Sequence, residues 1–194
     1  MYLETIGAEE ATGEVAELYR SSLENRGFVM DADACWTAVP GLFPLVDHML
    51  VTARNNFTLG RLNWRLITLI AAKEVPSSYC SHVYASLLVA DLGSKEQVLA
   101  IQRDFRNAGL SARDVAMLAY AEQVARDASR ITEADIDALR AHGFNDVEIG
   151  EIAFCSSLRC FLSRYFDAVG ATCESGFIDD DPAFREAMSV GKRY

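Results

Sequence analysis

The sequence predicts an all-α protein of one domain, and three observations carry that reading. Helix-capping residues recur from one end of the 194-residue chain to the other. Apolar residues fall three and four apart, and no period-two alternation lasts a strand's length between turn residues. With 51% hydrophobic and 24% charged residues, four prolines and no low-complexity run, residues 1–194 should fold as one globular multi-helix bundle. A chain of this length buries about 70% of the surface its unfolded form exposes.

The elements follow in order. Thr12 is positioned to cap an acidic helix over 12–26, stopped by Gly27, with Val15, Leu18 and Tyr19 on one face. A second helix runs from about Pro44 to Asn55, since proline is tolerated in a first turn. The third, Arg61 to Lys73, carries Trp64, Leu66, Ile67, Leu69 and Ile70. It is apolar nearly all the way round and belongs at the centre. Pro76 breaks the chain, Ser77 or Ser78 caps the next helix, and that helix reaches about Asp91 with Gly93 beyond. Ser94 with Gln97 opens a helix to Asn107, closed by Gly109, and Ser111 with Asp114 opens one to Asp127. Thr132 with Asp135 opens another that ends before Gly143, and Asn145 with Glu148 opens a long one to Val169, closed by Gly170. A short helix over 182–190 follows Asp181 and Pro182. About nine helices result, with a core over roughly 44–170.

Composition excludes several classes of function. The formal charge is −10, from 28 acidic and 18 basic residues, and the basic residues are scattered, so no nucleic-acid footprint is present. The acidic start lacks the regions of a signal peptide and no apolar run approaches the ~18 residues of a membrane span, so a cytoplasmic protein without membrane partners is expected. The five cysteines, Cys35, Cys80, Cys155, Cys160 and Cys173, are odd in number and lack metal-ligand spacing. They are expected as free thiols, with no metal and no cofactor.

The richest stretch is Arg65 to Asp91, RLITLIAAKEVPSSYCSHVYASLLVAD, which puts Cys80 in the first turn of a buried helix. A helix start carries about half a positive charge and unpaired N–H groups, which favour a thiolate. Ser77, Cys80, Ser81 and Tyr84 are three or four apart and share a face, whereas His82 lies about 200° round from Cys80. Tyr84 can donate a hydrogen bond to sulfur but is ill-suited to take its proton. On the preceding helix Arg65, Thr68 and Ala72 form the one less apolar stripe. If that stripe faces the cysteine helix, Arg65 comes within reach of Cys80 and holds a thiolate or an anionic ligand. The bland alternative is that Cys80 is core, as a lone helical cysteine more often is. Cys155 and Cys160 read as core, His48 as a histidine packed on its neighbours, and His142 as a residue at a helix C-terminus.

Residues 61–91 together with Leu110 to Ala153 resemble the carboxymuconolactone decarboxylase and alkylhydroperoxidase D superfamily, in its peroxidase-related branch. The motifs that carry the resemblance are TGEVAELYR, LSARDVAMLAY, ITEADIDALRAHG and SRYFDAVG. The resemblance implies an all-helical fold that assembles into dimers, trimers or hexamers. It also implies thiol-dependent peroxide reduction by a C-x-x-C pair whose second cysteine attacks and whose first closes a disulfide, with a glutamate and a histidine relaying protons. Carried over, Cys80 keeps the attacking position, Ser77 stands for the resolving cysteine, Arg65 for the glutamate and Tyr84 for the histidine. A hydroxyl cannot form a disulfide, so an oxidised Cys80 needs an external thiol, or a distant cysteine brought close by the fold.

The leading expectation is therefore a one-cysteine peroxidase or thiol oxidoreductase acting on a peroxide or a small anionic compound, with an external thiol as reductant. Two alternatives stand beside it: a non-redox lyase, isomerase or binding pocket built from Arg65, Tyr79, Tyr84 and Ser77, and a non-catalytic assembly protein. A homo-oligomer is expected on the apolar residues Phe57, Phe161 and Tyr165, taken as exposed.

Overall fold

The computed structural model describes all of residues 1–194. Ten α-helices make the bundle: α1 (Gly13–Arg26), α2 (Asp31–Ala34), α3 (Leu42–Asn55), α4 (Gly60–Glu74), α5 (Ser78–Leu92), α6 (Lys95–Asp104), α7 (Ala112–Asp127), α8 (Glu133–Ala141), α9 (Asp146–Val169) and α10 (Pro182–Met188). There is no strand, and no helix is long and apolar enough to cross a membrane.

The centre is α4, packed on α5, α7 and α9. Its all-round apolar sequence matches that placement, since every residue from Leu66 to Ala72 is buried. Helix α5 is equally enclosed: Ser78 through Ala85 are buried, polar residues included. The starts are fixed as the capping residues foretell. Ser94 Oγ accepts from Gln97 N at 3.1 Å and Ser111 Oγ from Asp114 N at 3.1 Å, while Asn145 and Glu148 bond each other's backbone N–H reciprocally. Gly93 and Gly170 end α5 and α9 at φ 65° and 77°, the left-handed turn that stops a helix.

Several expectations are corrected. The four-residue α2 and the 3₁₀ turn Cys35–Ala38 that follows it lie between the first two helices expected from the sequence, which assigned that stretch no element. Helix α6 stops at Asp104 and continues to Asn107 as a 3₁₀ turn, because the Asp104 carboxylate accepts the Arg106 N–H at 3.1 Å. The last helix ends at Met188, not 190, where the Ser189 hydroxyl donates to Arg185 O. Thr12 occupies its cap position without a side-chain bond. Phe57 is buried, edge-on to Trp64 at 5.1 Å, and Tyr165 stacks on Trp36 at 4.0 Å; of the three only Phe161 is exposed. His48 is exposed as well.

The chain beyond α10 crosses the start of α5. Gly191 N donates to Ser78 Oγ at 2.8 Å, and a Cβ on Gly191 would lie 1.9 Å from Pro76 O, an approach only glycine allows.

Candidate functional site

Helices α5 and α9 run in opposite directions and meet through polar side chains four residues apart on each. Ser163 Oγ donates to Cys80 Sγ at 3.2 Å. One turn back, Arg159 Nη1 donates to the same sulfur at 3.3 Å and Nη2 to Tyr84 Oη at 2.9 Å. The i, i+4 spacing of Cys80 with Tyr84 and of Arg159 with Ser163 puts each pair on one face, so the two faces close like a zip. Another turn along, Asp167 lies beside Ser77, though neither Asp167 Oδ1 nor Ser77 Oγ has a hydrogen-bond partner.

The electrostatics of this cluster are unusual. Arg159 is 4% exposed, and the groups that hold its proton are Tyr84, Cys80 and Cys155, with no carboxylate among them. Burial opposes its charge, yet Tyr84 and Cys80 outweigh burial and raise its pKa. Burial pushes the Tyr84 phenol up, but the Arg159 and Arg54 guanidiniums pull it back, and it ends below its ordinary value. Arg159 Nε and Trp64 Nε1 are buried donors without partners. A buried guanidinium without a carboxylate is costly unless something nearby takes negative charge, and the groups in reach are a thiol and a phenol.

Of the residues singled out from sequence, Cys80 and Tyr84 come together through Arg159, and Ser77 sits one turn before Cys80 with its hydroxyl unpaired. Arg65 does not join them. Its Nη1 bonds Asp91 Oδ2 at 2.6 Å and Leu87 O at 3.5 Å, near the opposite end of α5. At 1.5 Å per residue, that end is about 10 Å or more along the axis from Cys80. The acidic residue on α5 captures it. Thr68, from the same stripe, faces Cys155 at 3.8 Å, and Tyr79 turns away to donate to Glu174 at 3.1 Å. Ser81 faces Gln102 and Met188, not the cysteine. His82, expected on the far side from Cys80, lies against Ser189.

Arg159 and Ser163 were missed. The signal was available: Arg159 stands in SSLRCFLS between Leu158 and Cys160, and a cation inside an apolar helix needs a buried partner, the reasoning spent on Arg65. Two surface hollows, one lined by Thr58, Arg140 and Phe144 and the other by His48, Phe57 and Phe154, lie away from Cys80, which is 1% exposed.

Comparison with known proteins identifies the fold. No protein-family model and no curated protein matches the sequence. Solved structures do, and they give the chain the all-helical alkylhydroperoxidase D-like fold. An uncharacterised peroxidase-related protein from Silicibacter sp. TM1040 superposes with a TM-score of 0.79 at 22% identity, over 84% of this chain and 86% of its own. An alkylhydroperoxidase AhpD core, peroxidase-related protein from Ralstonia eutropha JMP134 gives 0.79 at 18% identity, over 91% and 93%. The debrominase Bmp8 gives 0.76 at 16% identity, over 96% of each chain, and its cysteine-to-alanine variant in complex with 2,3,4-tribromopyrrole gives 0.75. At these identities the likeness is one of fold.

Proposed function

We propose that the protein is a thiol-dependent oxidoreductase that reduces small hydroperoxides at Cys80. One observation carries this reading: two donors, one of them the Arg159 guanidinium, converge on the Cys80 sulfur while that guanidinium has no carboxylate. Donors aimed at a sulfur suit a thiolate, and the thiolate is the nucleophile. It attacks one peroxide oxygen; the S–O bond forms, the O–O bond breaks, and the alkoxide leaves and takes a proton. Cys80 becomes a sulfenic acid, and an external thiol supplies the electrons that restore it.

With Cys80 1% exposed, hydrogen peroxide or a compact organic hydroperoxide suits the site better than a bulky one. The complex of the debrominase variant of the same fold with 2,3,4-tribromopyrrole adds bromopyrroles as a second class of compound to try. A non-redox pocket is less well supported, because Asp91 occupies Arg65 and Glu174 occupies Tyr79. The test is hydroperoxide consumption in the presence of dithiothreitol. Wild-type protein turns over, and Cys80→Ser falls to the uncatalysed rate while keeping its far-ultraviolet circular dichroism; undiminished consumption by that variant overturns the reading.

The working form is proposed to be a homo-oligomer. Val147, Phe154 and Phe161 are 64%, 46% and 48% exposed and recur every seven residues along the outer face of α9, a spacing that keeps them on one stripe. Light scattering should give a multiple of the monomer mass, and Phe154→Glu with Phe161→Glu should reduce it. A wild-type mass equal to that of one chain removes the proposal.

A further inference from the structure

We infer that Cys173 is the resolving cysteine for Cys80, taking over the task that Ser77 cannot perform; this rests on the thiol-oxidoreductase reading above. The chain path brings it there. Along α9, Ser163 meets Cys80 and Asp167 lies beside Ser77, so α9 descends toward the start of α5. Gly170 then reverses the chain, and the segment that returns carries Cys173 and Glu174. Glu174 accepts from the hydroxyl of Tyr79, the neighbour of Cys80 in sequence, and the 3₁₀ turn Ser175–Phe177 packs on α5. Cys173 therefore lies near the first turn of α5, on coil, its buried side chain part of the same hydrophobic core as Cys80 and its thiol 3.8 Å from Glu174 O. Two shifts agree with this nearness: the Cys173 thiol is pushed up to about 12 by burial, then Glu174 and then Cys80, and the Tyr194 phenol is raised by burial and by Asp167, Cys173 and Cys80.

The other cysteines are placed less well. Cys155 sits in mid-helix, its thiol facing Trp64 O and Thr68, and Cys35 is held in a 3₁₀ turn with its sulfur on Ala32 O. Cys160 bonds Ala125 O on the other side of α9. Cys173 alone combines nearness to Cys80 with a backbone outside helix and 3₁₀ turn, which can shift to reach disulfide geometry.

The step balances without another oxidant. The Cys173 sulfur attacks the sulfur of the Cys80 sulfenic acid; the S–S bond forms and the S–O bond breaks. The departing hydroxide takes the Cys173 proton and leaves as water. A dithiol reductant then opens the disulfide by exchange. Thiol attack needs the thiolate, and a buried thiol such as Cys173 loses its proton reluctantly, so resolution should be slow and should quicken as pH rises.

The test is non-reducing peptide mass spectrometry after one equivalent of hydrogen peroxide, with dimedone added to trap sulfenic acid. Wild type should yield a Cys80–Cys173 linked peptide. Cys173→Ser should lose that link and accumulate the Cys80 dimedone adduct while still turning over with a small thiol, which reduces the sulfenic acid directly; a purely structural role would depress turnover without raising the adduct. A Cys80 adduct in wild type with no link, or with a link to Cys35 or Cys155, overturns the inference and leaves the function of Cys80 standing. Absence of any Cys80 oxidation overturns both.

Discussion

The two ends of α5 each hold an arginine from a neighbouring helix, and the arginines are used in opposite ways. At the C-terminal end Arg65 meets Asp91 at 2.6 Å, with Arg61 at 3.6 Å from the same carboxylate. At the N-terminal end Arg159, more deeply buried, faces Cys80 and Tyr84. A charge matched by a carboxylate holds two helices together. A charge matched only by groups that can lose a proton stores a preference for their ionised forms, and that preference is what chemistry at a sulfur requires. An arginine in an apolar helix is therefore not itself the mark of a site; the partner it is given decides.

Replacing Arg159 should have the largest effect on the thiol. Arg159 donates to the Cys80 sulfur at 3.3 Å, so Arg159→Met, which removes that cationic donor, should slow iodoacetamide alkylation of Cys80 several-fold. The same substitution removes a buried charge with no carboxylate, so the melting temperature should stay level or rise. A fall in alkylation of less than about twofold would show that the guanidinium does not govern the sulfur. Arg65→Met should do the reverse. Cys80 alkylation should stay within about twofold, while stability drops by roughly 1–3 kcal/mol, because Asp91 is left with only the longer contact to Arg61. Equal effects of the two variants on alkylation would erase the distinction between the ends.

What the sequence disclosed divides along the same line. Ser94, Ser111 and Asn145 announced three helix starts because a cap is a contact between residues three apart, and Gly93 and Gly170 announced two ends for the same local reason. The pairing of Cys80 with Tyr84 was legible as an i, i+4 face. Helix α2 was not, since four residues are too few to show a period. Arg159 and Ser163 stand 79 and 83 residues from Cys80 in sequence, and which face α9 turns toward α5 is decided by packing. Arg65 was misread for that reason: its helix was rightly placed at the centre, but Asp91 lay on the cysteine helix as the nearer partner, and periodicity could not weigh the two.

His82 lies two residues from Cys80 yet serves the opposite side of α5, so its replacement should change least at the thiol. It is 1% exposed, its Nε2 meets Ser189 Oγ at 3.3 Å and its Nδ1 has no partner. Burial, and then Arg185, lower its pKa from 6.5. Tyr194 is the other titratable ring against it, at 6.3 Å. With the folded value below the unfolded one, the unfolded chain binds the extra proton first on acidification. The contribution to stability is then complete above about pH 6.5 and lost as pH falls through the folded value. Asp167 and Glu174, raised by burial, run the other way, losing stability as pH rises through their shifted values. The difference between wild type and His82→Gln isolates the histidine. Between about pH 7.5 and about pH 5.5 wild type should lose more melting temperature than the variant. At neutral pH the variant should alkylate at Cys80 as fast as wild type, because Arg159 and Ser163 approach the sulfur from α9 and Ser189 holds the imidazole from beyond α10. A variant that keeps the wild-type pH slope, or slows alkylation, would join His82 to the thiol site and dissolve the separation of the two sides.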